Sequence, residues 1–153
     1  MPNGTCSKPR LIVLAGLPGS GKSTWAERQG YTVISSDEMR RLLMDDPTDQ
    51  SIHGRVFASL RYLLRHRLEL RRPVTCLDAT NITRRDRRAW IKMAELYGCL
   101  PEAVFFDVPA EECLKRNAAR GRVVPEEAIR MMAARLSVPS LDEGFTSVTV
   151  IRP

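Results

Sequence analysis

Apolar positions along the chain fall into two alternating patterns. Short runs rich in β-branched residues, bounded by glycine, proline or polar turns, recur five times: RLIVLAG at 10–16, TVISS at 32–36, PVTCLDAT at 73–80, EAVFFDVP at 102–109 and FTSVTVI at 145–151. Between them apolar residues return at helical spacing over 22–29, 37–44, 52–71, 83–97, 110–120 and 125–136. Runs this apolar predict strands covered on both faces, as in a parallel sheet. Alternation of strand and helix predicts a doubly wound α/β domain whose strand C-termini gather along one edge, where a ligand sits. No internal repeat, low-complexity tract or linker breaks the pattern, which predicts one domain over 10–153 after a tail at 1–9. Within 52–71, Val56, Phe57, Leu60, Leu63, Leu64 and Leu68 form the expected core side, leaving Arg61 and Arg65 on a solvated face.

The turn after the first run is GLPGSGKST, which satisfies G-x-x-x-x-G-K-[ST] with Gly16, Gly21, Lys22 and Ser23. It follows a predicted strand and opens a predicted helix, the context in which this motif holds nucleotide phosphates. Glycines let successive backbone N–H groups turn inward around the phosphates, and the helix N-terminus adds its dipole. Gly19, Ser20 and Gly21 are expected to form the cradle, with Lys22 reaching the β and γ phosphates, Ser23 ligating Mg²⁺ and Thr24 donating to the α-phosphate. The motif predicts ATP or another NTP as ligand and is silent about the acceptor.

Three further clusters fall at the same sheet edge or in the last helices. ISSDEMR, at 34–40, puts Asp37 just past the second strand and Arg40 one helical turn later. Asp37 could orient and deprotonate a hydroxyl, and Arg40 could hold an anionic part of the acceptor. A helix capped by Ser36 or Asp37, with Arg40 solvated, fits the spacing equally well. LDATN, at 77–81, ends the third strand with Asp78, a candidate to orient Ser23 or metal-bound water; an Asx-turn is the alternative. CLKRNAARGRVVPEEAIRMM, at 113–132, reads as a helix–loop–helix lid in which Arg116 and Arg120, four apart, project from one face. A solvated basic helix end is the alternative. ITRRDRRAW, at 82–90, places Arg84, Arg85, Arg87 and Arg88 at a helix start, read as a solvated basic face rather than a groove that tracks a phosphate backbone. His53 and His66 have no metal-ligand partners at useful spacing, so neither receives a role.

Composition narrows the classes. A chain of 153 residues can bury one core without staples, and 43% hydrophobic with 27% charged residues is ordinary for a globular domain. The longest apolar run is too short to cross a bilayer, and the first ten residues lack the apolar core of a secretory signal, so the expected location is cytoplasmic, away from membranes. Cys6, Cys76, Cys99 and Cys113 are scattered, which argues against structural zinc and a disulfide framework; Cys76 reads as a small core residue. The net charge is +6, with lysine at only four positions, so the cation is mainly arginine, whose planar fork suits bidentate phosphate contact. That balance leans towards polyanionic partners.

GLPGSGKSTWAE, SSDEMR, LDATNITRRDRRAWIKMAELYG, VFFDVPAEECLKRNAARG and VPEEAIRMM together resemble the polynucleotide 5′-kinase domain of phage polynucleotide kinase–phosphatase and of bacterial end-healing and sealing enzymes. The likeness runs from about 10 to 151, in motif order. It implies a P-loop NTPase/kinase fold of the α/β class, with a five-stranded parallel sheet flanked by helices and an arginine-bearing helical lid. It also implies transfer of the γ-phosphate of ATP or another NTP, with Mg²⁺, to the 5′-OH end of RNA or DNA. By position, Asp37 is similar to the family's general base and Arg40 to the arginine on the acceptor's 3′-phosphate. Lys22 and Ser23 keep their phosphate-loop roles, Asp78 matches the strand-end aspartate, and Arg120 and Arg116 match lid arginines near the nucleotide. Arg122 falls where family members vary. Relatives carry the kinase beside a phosphatase and in some cases a ligase, which this sequence does not encode. A stand-alone kinase with separate partners, a module of a larger protein and a relative with a changed acceptor stay open. So do a kinase of a small hydroxyl acceptor, such as a nucleoside or sugar, and a non-catalytic nucleotide-binding module.

Overall fold

The computed structural model describes residues 7–120 and 124–153. Strands β1 (Arg10–Ala15), β2 (Val33–Ser35), β3 (Val74–Asp78), β4 (Leu100–Phe106) and β5 (Ser147–Ile151) form one sheet in the order β2-β3-β1-β4-β5. Every pairing is parallel, with Arg10 to Val13 beside Val74 to Leu77 on one flank and Arg10 to Ala15 beside Leu100 to Phe105 on the other. Helices α1 (Lys22–Gln29), α2 (Ser36–Met44), α3 (His53–Glu69), α4 (Arg84–Leu96), α5 (Ala110–Ala118) and α6 (Glu126–Arg135) connect and cover the strands. This is the P-loop kinase architecture, an α/β fold with an all-parallel sheet.

The central strand explains the burial. Successive side chains of β1 point to opposite faces, and both faces are covered. Leu11 and Val13 join a core with Val56, Leu60, Leu64 and Leu68 of α3 and Trp90 and Ile91 of α4. Ile12 and Leu14 join a second core with Cys76, Val104, Phe106 and Ala26 of α1. A third cluster, containing Leu17, Cys113 and Ile129, fastens α5 and α6 to the phosphate loop.

Several sequence expectations need correction. Strand β5, at one edge of the sheet, has Thr149 and Val150 exposed, so the expectation of two covered faces fails there. Leu63 is 42% exposed; it lies off the stripe of Leu60, Leu64 and Leu68 that meets the sheet. Helix α5 ends at Ala118, short of the expected 120, so Arg116 and Arg120 do not share a helical face. A 3-10 helix at Leu141–Glu143 lay outside the expected elements.

The largest departure is Arg87, which is 0% exposed rather than solvated. Its Nε and Nη2 grip both carboxylate oxygens of Glu143 at 2.9 and 3.1 Å. Nη1 donates to the carbonyls of Asn81 (2.8 Å) and Ser137 (3.1 Å), and Nη2 also meets Ser137 Oγ at 3.2 Å. The guanidinium therefore pins the 137–143 segment, which follows the last helix, to the loop after β3. Removing one member leaves the other charge buried and unpaired, so Arg87→Met is expected to cost about 3–5 kcal/mol. Urea unfolding measures that loss; a change below about 1 kcal/mol, the range of an exposed pair, would contradict the buried-pair reading.

Candidate active site

The site grows from the C-terminal edge of β1, β2 and β3. The loop leaving β1 is tied back to the sheet where Gly16 N donates to Thr80 O at 2.9 Å. Gly19, at φ 82°, lies so close to α5 that an added Cβ would stand 2.7 Å from the Cys113 carbonyl oxygen, which only glycine avoids. Gly21 caps α1 in the left-handed region at φ 97°. Lys22 Nζ, buried, donates to the carbonyls of Gly16 and Leu17, both at 2.8 Å. Burial pushes its ammonium down to about 8; the carboxylates of Asp78 and Asp37 oppose that shift and the Arg120 cation adds to it. Ser23 Oγ donates to Asp78 Oδ2 at 2.6 Å, across the β1–β3 junction. Ser20 Oγ is buried and has no hydrogen-bond partner among the described residues.

The cap of α2 is Ser35, whose Oγ accepts from Glu38 N at 3.3 Å, rather than Ser36 or Asp37. Asp37 stands in the first turn. Arg40, one turn on, is 5% exposed, which excludes the solvated alternative for this side chain. Its Nη1 donates to Asp37 Oδ1 at 3.3 Å and its Nη2 meets His53 Nδ1 at 3.4 Å. Its buried Nε has no hydrogen-bond partner among the described residues.

Helices α5 and α6 pack against the loop through Leu17, Cys113 and Ile129. Buried Asn117 joins them by donating to Val124 O at 2.7 Å and accepting from Val124 N at 2.9 Å. Arg116 pairs with Glu112 at 3.3 Å, and its Nη1 lies 3.7 Å from where a Cβ on Gly21 would stand. Arg120, beyond the helix, is exposed. Arg122 lies outside the described residues.

One cavity of about 590 Å³ brings these groups together, lined by Lys22, Ser23, Asp37, Arg40, Asp78 and Arg120 among others. Gly19, Gly21 and Thr24 also line it. Asp37 and Arg120 border a second, more open cavity of about 500 Å³ with Glu38 and Arg41, which pair with each other. The Asp37–Arg40 cluster and the phosphate loop are separate in sequence and share one chamber in space. Among the described residues no group of three or more His, Cys, Asp or Glu forms a metal cage. The oxygen pair of Ser23 and Asp78 instead suits a hard cation that keeps waters and takes phosphate oxygens.

Sequence reasoning missed several members. His53 and Phe57, read respectively as without a role and as core, both line the cavity. Asn81, at φ 44°, donates to Leu14 O at 2.7 Å and accepts from Trp90 Nε1 at 3.0 Å, bracing the loop that follows Asp78. Only the asparagine directly after Asp-Ala-Thr hinted at it, since asparagine tolerates the left-handed region.

The chain is similar in sequence and fold to several known proteins. The chain is 27% identical over 147 residues to a bifunctional polynucleotide phosphatase/kinase of Schizosaccharomyces pombe, covering 90% of this chain and 32% of that protein. It is also 27% identical over 136 residues to an L-seryl-tRNA(Sec) kinase of Methanococcus maripaludis, covering 84% of this chain and 53% of that protein. The chain thus spans about a third of one of these relatives and about half of the other. Among solved structures, a chain of the Pnkp1/Rnl/Hen1 RNA repair complex superposes with a TM-score of 0.74 at 26% identity, over 88% of this chain and 46% of that one. A family model described as an AAA domain matches residues 11–139, so the chain belongs to that AAA domain family, as a P-loop kinase domain.

Proposed function

We propose that the protein is a polynucleotide 5′-hydroxyl kinase, transferring the γ-phosphate of ATP or another NTP to the 5′-OH end of RNA or DNA. The observation that carries this reading is Arg40. A buried guanidinium with an unpartnered Nε is costly unless an anion completes its shell. It stands beside Asp37 in the chamber that holds the phosphate loop. An acceptor that satisfies both neighbours carries a hydroxyl for Asp37 and an anion for Arg40. A nucleic-acid 5′ end supplies them from one sugar, as the 5′-OH and the 3′-phosphate. A neutral sugar offers Arg40 no anion beyond Asp37, and an acceptor that attacks through a phosphate has no use for a carboxylate base.

In this reading Asp37 takes the proton of the 5′-OH as its oxygen attacks the γ-phosphorus. The bond to the β–γ bridging oxygen breaks, and the nucleoside diphosphate leaves with the electron pair. Lys22 and Arg120 neutralise the transferring charge, Arg116 lies near the nucleotide, and Gly19 to Thr24 hold the phosphates. Ser23 and Asp78 are the residues that would hold Mg²⁺, directly or through water, and the ion would supply positive charge to the transferring phosphate. A phosphatase or a ligase acting on the same ends is the proposed kind of partner, in keeping with the RNA repair complex one chain of which superposes on this protein.

The test incubates the protein with Mg²⁺, γ-labelled ATP and 5′-OH oligonucleotides, with and without a phosphate on the 3′ side of the terminal nucleoside. Label at the 5′ end supports the reading; transfer to sugars or free nucleosides but to no RNA, DNA or nucleoside 3′-phosphate sinks it. Arg40→Ala is expected to raise the acceptor KM about 10- to 100-fold, the worth of charged hydrogen bonds, while the ATP KM holds. The penalty should shrink on acceptors lacking the 3′-phosphate.

A further inference from the structure

The cavity contains a ring system that the proposed reaction does not use. His53, the first residue of α3, is exposed and lies against Phe57, ring centroids 4.6 Å apart and tilted by 36°. Phe57 in turn lies 6.2 Å from Trp90 at 35°. Trp90 is buried and its Nε1 is anchored on Asn81 Oδ1 at 3.0 Å. Three rings thus form a ladder that is rigid at its buried end and exposed at His53. The same imidazole meets Arg40 through Nδ1 at 3.4 Å. A guanidinium only donates, so Nδ1 must accept, and the ring proton of that tautomer sits on Nε2. His53 therefore touches the proposed anion-binding arginine and presents a π-surface in the same chamber.

We propose that His53 makes the acceptor pocket a nucleoside site, holding Arg40 in place through Nδ1 and stacking the base of the 5′-terminal nucleotide on its exposed face. This rests on the polynucleotide reading above and adds that the terminal base is itself bound. A histidine that merely began a helix would need neither the Arg40 contact nor a place at the end of an anchored ladder in the cavity wall. Every nucleobase has a π-face, so the surface grips the base with little choice among the four. A sugar or other acceptor without a base gains nothing from it.

The experiment compares wild type with His53→Ala and His53→Phe on two acceptors of equal length, both with a 3′-phosphate on the terminal sugar. One carries a normal 5′-terminal base and the other an abasic 5′-terminal residue. His53→Ala is expected to raise KM for the normal acceptor roughly 5- to 20-fold, towards the lower part of the range for one lost base stack, with the ATP KM unmoved. On the abasic acceptor the same variant should lose at most about 3-fold, through looser positioning of Arg40. His53→Phe, which keeps a stacking face and packs against Phe57, should recover the normal acceptor and not the abasic one. If His53→Ala leaves the normal acceptor's KM unchanged while wild type transfers phosphate, the nucleoside site is overturned and the kinase reading stands. Equal losses on both acceptors overturn the stacking. Wild type that phosphorylates neither acceptor overturns both readings.

Discussion

Asp37→Ala is expected to lower the rate of phosphate transfer by about 10²- to 10⁴-fold, the usual contribution of a positioned general base. NTP binding should survive, because the phosphate loop draws its contacts from 16–24 and Asp37 is contributed by the first turn of α2. Two details make the expectation specific. The α2 cap is Ser35, so losing the Asp37 carboxylate does not remove the hydrogen bond that starts the helix. Asp37 does contact Arg40, at 3.3 Å, so some rise in acceptor KM accompanies the loss. Asp37→Asn separates these effects. It retains an oxygen for Arg40 but loses the proton-accepting carboxylate, and it should remain nearly as slow as Asp37→Ala. Single-turnover transfer with saturating acceptor, alongside calorimetric NTP affinity, measures both quantities. Near-normal turnover in Asp37→Asn would remove Asp37 from the role of base.

Lys22→Met should reduce transfer by about 10²- to 10³-fold or more, the scale for deleting one preorganised group aimed at developing charge. Its pH signature is the sharper readout. Burial holds the Lys22 ammonium down at about 8 against a reference of 10.5. Below pH 8 the folded and unfolded forms are both protonated, and the cost of the buried charge is fully present. Between pH 8 and 10.5 the folded form has released the proton while the unfolded chain retains it, so this group makes stability rise with pH across that window. Phosphates entering the loop favour the ammonium and raise its affinity for the proton. Nucleotide binding near pH 9 should therefore take up a proton. Calorimetry in two buffers of different ionisation enthalpy reads that uptake as a difference in apparent binding heat. Lys22→Met should abolish it while still folding, since the substitution removes a desolvated charge along with its two carbonyl contacts. Equal proton uptake in wild type and variant would assign the titration to another group.

Local chemistry made much of this protein legible. The alternation of apolar runs and helical spacing states the α/β class, because a strand buried on both faces and an amphipathic helix leave different periodicities in the chain. The phosphate loop is legible for a related reason. Its glycines, lysine and hydroxyl are consecutive, so the sequence spacing is the structural spacing. The edge of the sheet was harder to read. Strand β5 is as β-branched as the others, and the exposure of Thr149 and Val150 depends on what packs over its two faces, which its own residues do not encode. Arg87 sits among four arginines of similar local context. Its burial depends on Glu143, Ser137 and Asn81, which converge on it from distant parts of the chain.

The sequence by itself placed a phosphate-loop motif at the end of the first strand, and Asp37 and Arg40 one helical turn apart. It left open whether that pair is a helix start or a reactive couple, since Ser-Asp before a helix serves either purpose. Tertiary structure removed the solvated alternative for Arg40 by burying it with an unpartnered Nε in the chamber of the phosphate loop. It also brought His53 from a different helix to the same guanidinium, at a separation no periodicity encodes. The reason is physical. Periodicity reports which face of an element is apolar, whereas burial of a charge depends on which elements arrive opposite it, and that is settled only when the sheet and its helices pack.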